Sequence, residues 1–119
     1  MSSSPSTPEI AQISVIELAD RMSQAQEPLQ LIDVREPEEL EIAQIERFTN
    51  LPLSQFAEWS GQIQTQFDPH AETIVLCHHG VRSAQMCYWL QSQGFTHLKN
   101  VSGGIEAYAV RVDSNIPRY

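Results

Sequence analysis

The sequence predicts an α/β domain built on a largely parallel sheet, and three observations carry that prediction. Apolar runs of strand length, LQLIDV (29–34), TIVLCH (73–78) and FTHLKNV (95–101), recur along the chain. The segments between them have helical periodicity, not period-two alternation, and strands alternating with helices at this pitch form parallel sheets. At 119 residues there is room for one hydrophobic core and not for two.

The elements follow in order. Residues 1–8, rich in Ser and Pro, read as a disordered tail, which leaves 9–119 as a single domain. A short strand falls around Ile13. SVIELADRM then opens on an S-x-x-E capping box, Ser14 with Glu17, and places Val15, Leu18, Ala19 and Met22 at helical spacing. QAQEP is a polar break closed by Pro28, and LQLIDV is the next strand. In REPEELE, Pro37 suits a first helical turn, where Glu38 and Glu39 oppose the helix dipole. IAQIERFTNLPL predicts a short helix followed by a short strand. SQFAEWSGQIQTQF (54–67) predicts an amphipathic helix with Phe56, Trp59, Ile63 and Phe67 on one face, interrupted by Gly61. After the DPHAE turn and the TIVLCH strand, RSAQMCYWLQSQG predicts a helix stopped by Gly94. FTHLKNV is the fifth strand, SGG a turn and IEAYAVR the last helix.

Composition removes several classes of function. A formal charge of -8 and seven Lys plus Arg offer no basic footprint for a nucleic-acid backbone. No apolar stretch approaches the ~20 residues that span a bilayer, and MSSSPSTPE lacks the basic and apolar regions of a signal peptide. The expectation is a soluble protein of the cytoplasm. Cys77 and Cys87 are too few for a disulfide scaffold, and their spacing matches neither a C-x-x-C redox pair nor zinc ligands.

Ligands of parallel sheets sit at the carboxyl ends of the strands, and Cys77 is at one. The loop after it, CHHGVRS, runs directly into a helix. Such a loop can turn several N–H groups inward and make an anion-binding concavity, and Gly80 supplies the conformational freedom this requires. A sulfur placed there is favoured as thiolate by those N–H groups and by the helix dipole. Arg82, five positions on, adds a permanent cation able to hold an oxyanion through forked hydrogen bonds. An isolated strand-end cysteine is ordinarily inert packing. The offsets of Gly80 and Arg82 point instead to an anion-binding thiolate nucleophile.

CHHGVRS resembles the active-site loop of the rhodanese (thiosulfate sulfurtransferase) family in its single-domain form. LIDVREPEEL resembles the family's strand-plus-charged-turn motif and NVSGGIEAY its C-terminal motif, so the likeness runs over roughly residues 10–112. The resemblance implies a central, mostly parallel five-stranded sheet with helices on both faces. It also implies double displacement: Cys77 takes the outer sulfur of a small anionic donor such as thiosulfate, becoming a persulfide. Cyanide or a thiol then accepts that sulfur, the thiol belonging to a small molecule or to a thioredoxin-like or sulfur-carrier protein. His78, His79, Gly80, Val81, Arg82 and Ser83 would form the loop that binds substrate and persulfide, with Arg82 positioning the donor. The intermediate is covalent on Cys77, with no cofactor and no metal.

Related phosphatases use C-x-x-x-x-x-R, one residue longer, to enclose a phosphoryl group. The shorter C-x-x-x-x-R here favours sulfur transfer over a phosphatase or arsenate reductase. A rhodanese-like delivery module with little thiosulfate turnover stands as the alternative. The chain departs from the family in two places. Where the family commonly has Gly-His-Ile and Gly-Ala before Asn-Ile-Pro, EIAQIERFTNLP keeps Ile45 and Asn50–Leu51–Pro52 without those glycines or the histidine. Tyr108 stands where Trp is preferred. Outside the loop, Cys87 reads as packing, Asp33 and Arg35 as an ion pair or cap near the sheet edge, with Asp33 at a strand end able to border the site, His70 and His97 as surface residues, and Trp59 and Trp89 as core or rim aromatics.

Overall fold

The computed structural model describes residues 9–24 and 29–119; the predicted tail at 1–8 and most of the QAQEP break lie outside them. Five strands, β1 (Ala11–Ile13), β2 (Leu29–Asp33), β3 (Thr49–Asn50), β4 (Glu72–Leu76) and β5 (Leu98–Val101), form one sheet in the order β1-β5-β4-β2-β3. Every pairing is parallel. Central β4 is covered on both faces, which is why it reads as a continuous apolar run instead of an alternating one. Ile74, Val75 and Leu76 have no exposed surface, and each contributes about 1.5–3 kcal/mol by burial.

The strand pleat sorts the core into two layers. Val75 and Ile32 point toward Trp59, Ile63, Met86, Cys87 and Leu90. These come from α3 (Phe56–Trp59), α4 (Ile63–Gln66) and α5 (Val81–Ser92). Ile74, Leu76 and Leu31 point the other way, toward Val15, Leu18 and Ile105 of α1 (Val15–Gln24) and α6 (Gly104–Arg111). α2 (Pro37–Ile42) buries none of its own residues and lies beside the carboxyl ends of the strands as part of the site. The Ser14–Glu17 capping box of α1 closes in both directions, at 2.9 and 3.0 Å.

Three local expectations change. No helix forms after α2: residues 43–48 run as extended chain and turn into β3, with Ala43 and Ile45 buried beneath. The single helix predicted over 54–67 is broken. α3 and α4 are one turn each, flanked by 3-10 turns at Leu53–Gln55 and Ser60–Gln62, and the second turn contains Gly61, a weak helix former. The apolar face survives the break in part, since Trp59, Ile63 and Phe67 are buried while Phe56 stays on the rim. Phe56, Trp59 and Trp89 meet edge to face, and Trp59 Nε1–H donates to Pro52 O at 2.8 Å. β5 starts at Leu98, so His97 lies in the exposed approach to the strand and not within it.

The turn before β3 holds Arg47 at φ +81, within the EIAQIERFTNLP segment. A left-handed conformation costs a residue with a Cβ roughly 1–2 kcal/mol. Arg47→Gly relieves that cost, but gives back about 0.5–1 kcal/mol through a more flexible unfolded chain. It also loses an exposed hydrogen bond from Arg47 to Met22 O. The expected result is a gain of about 0.5 kcal/mol, read as a higher denaturant midpoint; a lower midpoint would show that the Met22 bond outweighs the backbone strain.

Candidate active site

Cys77 follows β4 immediately, at the carboxyl end of the middle strand, and is buried with 1% exposure. The chain then turns through His78, His79 and Gly80 into α5, whose N-cap is Gly80 at φ +102. The Gly80 N–H donates to Cys77 Sγ at 3.0 Å. A Cβ on Gly80 would also press to 3.3 Å against Gly103 N and Val101 O, so the position needs glycine for both conformation and space.

The loop is held in shape from α6. Ile105 N–H donates to Cys77 O at 2.9 Å and Glu106 N–H to His78 O at 3.1 Å. The first turn of α6 thus takes the Cys77 and His78 carbonyls, while the Gly80 N–H faces the sulfur. The motif read as a plain SGG turn is therefore a structural part of the site.

Ser83 is fully buried, with Oγ 3.2 Å from Cys77 Sγ and 2.5 Å from Asn100 Oδ1. Asn100 Nδ2 donates to Gly80 O and to Gln12 Oε1, both at 3.1 Å, and Ser102 Oγ donates to the same Gln12 oxygen at 3.0 Å. The Gly80 carbonyl can only accept, so it orients the Asn100 amide and turns Oδ1 toward Ser83. The Ser83 hydroxyl has one proton to give. Given to Asn100, it leaves a lone pair facing Sγ, fit to accept from a thiol. Turned to Sγ, it becomes a second donor to a thiolate or persulfide.

Arg82 lies within electrostatic reach of Cys77, but its guanidinium is already paired. Nη1 and Nη2 donate to Glu39 Oε2 and Oε1 at 2.8 and 3.0 Å, fork to fork. Glu39 is the third residue of α2. Its carboxylate also accepts from Glu36 N–H, closing the capping box, and from the Tyr119 hydroxyl. Arg82, aided by those two donors, holds the Glu39 carboxyl down at about 2 against the cost of its partial burial. The same bond pushes the Arg82 guanidinium up.

His78 is half-buried, its ring stacked between His79 at 3.9 Å and Tyr119 at 3.8 Å. Burial, then the neighbouring His79 and Arg82, lower its pKa despite Glu39 and Glu106, so it adds no lasting charge. His79 is exposed, and the Val81 side chain points to solvent at the first turn of α5. Asp33 and Arg35 form a buried bidentate pair, with Nη2 to Oδ2 at 2.8 Å and Nε to Oδ1 at 3.0 Å. They sit at the end of β2, between β4 and the two-residue edge strand β3, and so one strand in from the sheet edge. Arg35 Nη1 reaches on to the Tyr119 hydroxyl at 2.9 Å. Cys87 is walled into the core, and burial, with Cys77 nearby, pushes its thiol up to about 12.

Glu39, Asn100, Gln12, Ser102 and Tyr119 are the site residues that the sequence reading did not single out. Glu39 was visible only as a helix-dipole residue. Asn100 carried a faint signal, as a polar residue inside an apolar strand. Nothing local marks Tyr119, 42 positions from Cys77.

Comparison with known proteins gives this geometry its context. Residues 14–111 match the family model of the rhodanese-like domain. A rhodanese-like/PpiC domain-containing protein 12, chloroplastic, from Arabidopsis thaliana is 46% identical over 109 residues, covering 87% of this chain and 36% of its own. The chain thus spans about a third of that relative's length. A thiosulfate sulfurtransferase GlpE from Vibrio cholerae is 33% identical over 86 residues, covering 70% of this chain and 74% of its own. The crystal structure of a rhodanese-like domain protein from Staphylococcus aureus shares the fold, with a TM-score of 0.73 at 24% identity over 92% of this chain and 99% of that one. No helix among the described residues is long and apolar enough to cross a membrane. With a match through every element but β1, and with its cysteine loop where β4 meets α5, the chain belongs to the rhodanese-like domain family.

Proposed function

We propose that this domain is a sulfurtransferase that carries sulfane sulfur as a persulfide on Cys77. The observation that carries the reading is the Gly80 N–H aimed at Cys77 Sγ from 3.0 Å, inside a six-residue C-x-x-x-x-R loop that opens a helix. That is a preorganised donor for a sulfur anion, in a ring too short for a phosphoryl group.

The Cys77 thiolate attacks the outer sulfur of a donor such as thiosulfate. A new S–S bond forms, the donor's S–S bond breaks, and its electron pair leaves with sulfite. The persulfide anion on Cys77 rests among the loop N–H groups of His78 to Ser83. A thiolate or cyanide then attacks the terminal sulfur and returns the Cys77 thiolate. The intermediate is covalent on the protein and the cycle calls on no cofactor or metal. Free Cys77 and Cys87 suit a reducing compartment such as the cytoplasm.

Thiosulfate treatment followed by intact-protein mass spectrometry tests the reading. The expected result is an adduct of about 32 Da, one sulfur atom, that a thiol reductant removes. Cys77→Ser should show no adduct and no turnover; failure of the unsubstituted protein to load from any sulfane donor would sink the carrier role. A second reading, delivery of sulfur to a thiol on a thioredoxin-like or sulfur-carrier protein with slow thiosulfate turnover, draws support from the pairing of Arg82 with Glu39. Steady-state turnover with cyanide separates the two.

A further inference from the structure

Arg82 is the only permanently charged residue of the Cys77 loop, and both terminal nitrogens of its guanidinium are committed to one carboxylate. The surrounding cations are matched in the same way. Arg35 is paired with Asp33 at 2.8 Å, and Arg118 with Glu106, which lies within electrostatic reach of His78 and His79, at 2.5 Å. His78 has its pKa lowered. Three guanidinium groups therefore face three carboxylates around the loop, in a chain whose formal charge is -8. A donor carrying two negative charges would find the backbone N–H groups but, among these three guanidinium groups, none without a carboxylate on it, and the field of the whole chain would oppose its approach.

Glu39 is also fixed. Its four donors, two from Arg82 and one each from Glu36 N–H and the Tyr119 hydroxyl, fill the carboxylate. A thiosulfate oxygen that does not displace this set meets only the N–H groups left over, on a cation whose charge Glu39 already offsets. We propose that Glu39 is a specificity-determining residue: by occupying the Arg82 fork it withholds the loop's cation from dianionic donors and tunes the site to sulfane donors of low charge, of which the persulfide of an alkyl thiol is the class. This rests on the Cys77 persulfide reading. The step is balanced: the Cys77 thiolate attacks the outer sulfur of R–S–SH, the donor S–S bond breaks, R–S⁻ leaves with the electron pair, and Cys77–S–SH remains. Sulfite, a dianionic leaving group, is replaced by a monoanionic thiolate.

The test compares the second-order rates at which thiosulfate and 2-hydroxyethyl persulfide load Cys77, followed by quenched mass spectrometry. Glu39→Gln keeps an acceptor for Glu36 N–H, so the cap of α2 is retained while the charge goes. The ratio of thiosulfate to persulfide loading should rise about tenfold in this variant, equivalent to ~1.4 kcal/mol. In Glu39→Gln combined with Arg82→Gln the gain should disappear, because it acts through Arg82. Salt provides a reading that needs no variant: thiosulfate loading of the unsubstituted protein should speed up as ionic strength screens the repulsion, while persulfide loading changes little. A ratio unmoved by Glu39→Gln overturns the proposal, as does thiosulfate loading that slows with added salt, the sign of an open cation. Failure of both donors to load Cys77 is distinguishable from these results, since it removes the persulfide reading and this inference with it.

Discussion

Replacing Asp33 with Ala is expected to cost about 3–5 kcal/mol of folding stability, the range for stripping one partner from a buried ion pair. Arg35 has no exposed surface, and Asp33 Oδ1 and Oδ2 between them accept from its Nε, its Nη2 and its own backbone N–H. Without the carboxylate, the guanidinium keeps the Tyr119 hydroxyl and a long contact to Glu39 O, neither of which carries charge. Domains of this size are stable by only about 5–15 kcal/mol, so the loss is a large share of the total. Urea unfolding at neutral pH measures it. Replacing both residues by apolar ones of similar volume should cost less than Asp33→Ala alone, because no uncompensated charge is left behind. If Asp33→Ala costs under about 1 kcal/mol, the pair behaves as an exposed bridge and its burial is contradicted.

The legible parts of this fold were those where one sequence signal meets one physical requirement. TIVLCH, an apolar run of strand length bounded by turn residues, read as a buried strand, and its TIVL lies in the central strand of the sheet. The S-x-x-E of α1 caps its helix as the pattern demands. The illegible parts were decided by packing across the chain. Residues 43–48 have helix-compatible composition, yet Ile45 must be buried and the chain must reach β3, so extended backbone prevails over propensity. The 54–67 segment keeps most of its buried face through 3-10 turns, because Trp59 is anchored to Pro52 O and meets two aromatics edge to face.

The site divides in the same way. A loop of consecutive residues is visible in one dimension, so Cys77, Gly80 and Arg82 stood out from their offsets. The residues that control the loop come from elsewhere. Asn100 reaches Ser83 across 17 positions and Glu39 reaches Arg82 across 43. Those contacts depend on the order of strands in the sheet. They also alter the reading of Arg82, from a cation waiting for an anion to one already holding a carboxylate.

Gly104→Ala should have the largest effect on chemistry of any substitution outside the loop. Gly104 sits at φ +61, and a Cβ there would come within 2.5 Å of Cys77 O and closer still to His78 O. Both obstacles are backbone and cannot rotate aside. α6 must retreat, and the hydrogen bonds from Ile105 N–H and Glu106 N–H to those carbonyls are lost. Once freed, the peptide planes no longer fix the Gly80 N–H on Sγ. A displacement of about 1 Å at a reacting centre can cost 100-fold in rate, so persulfide loading should fall by about that factor. Gly103→Ala separates geometry from general damage. Its Cβ would strike the Ala107 Cβ at 2.6 Å, a clash within the start of α6 that touches neither loop carbonyl. Gly103 is also left-handed, at φ +77, so both variants lose stability. Only Gly104→Ala should lose loading rate out of proportion to its folded fraction. Loading at the unsubstituted rate by folded Gly104→Ala protein would show that the α6 contacts do not set the thiolate cradle.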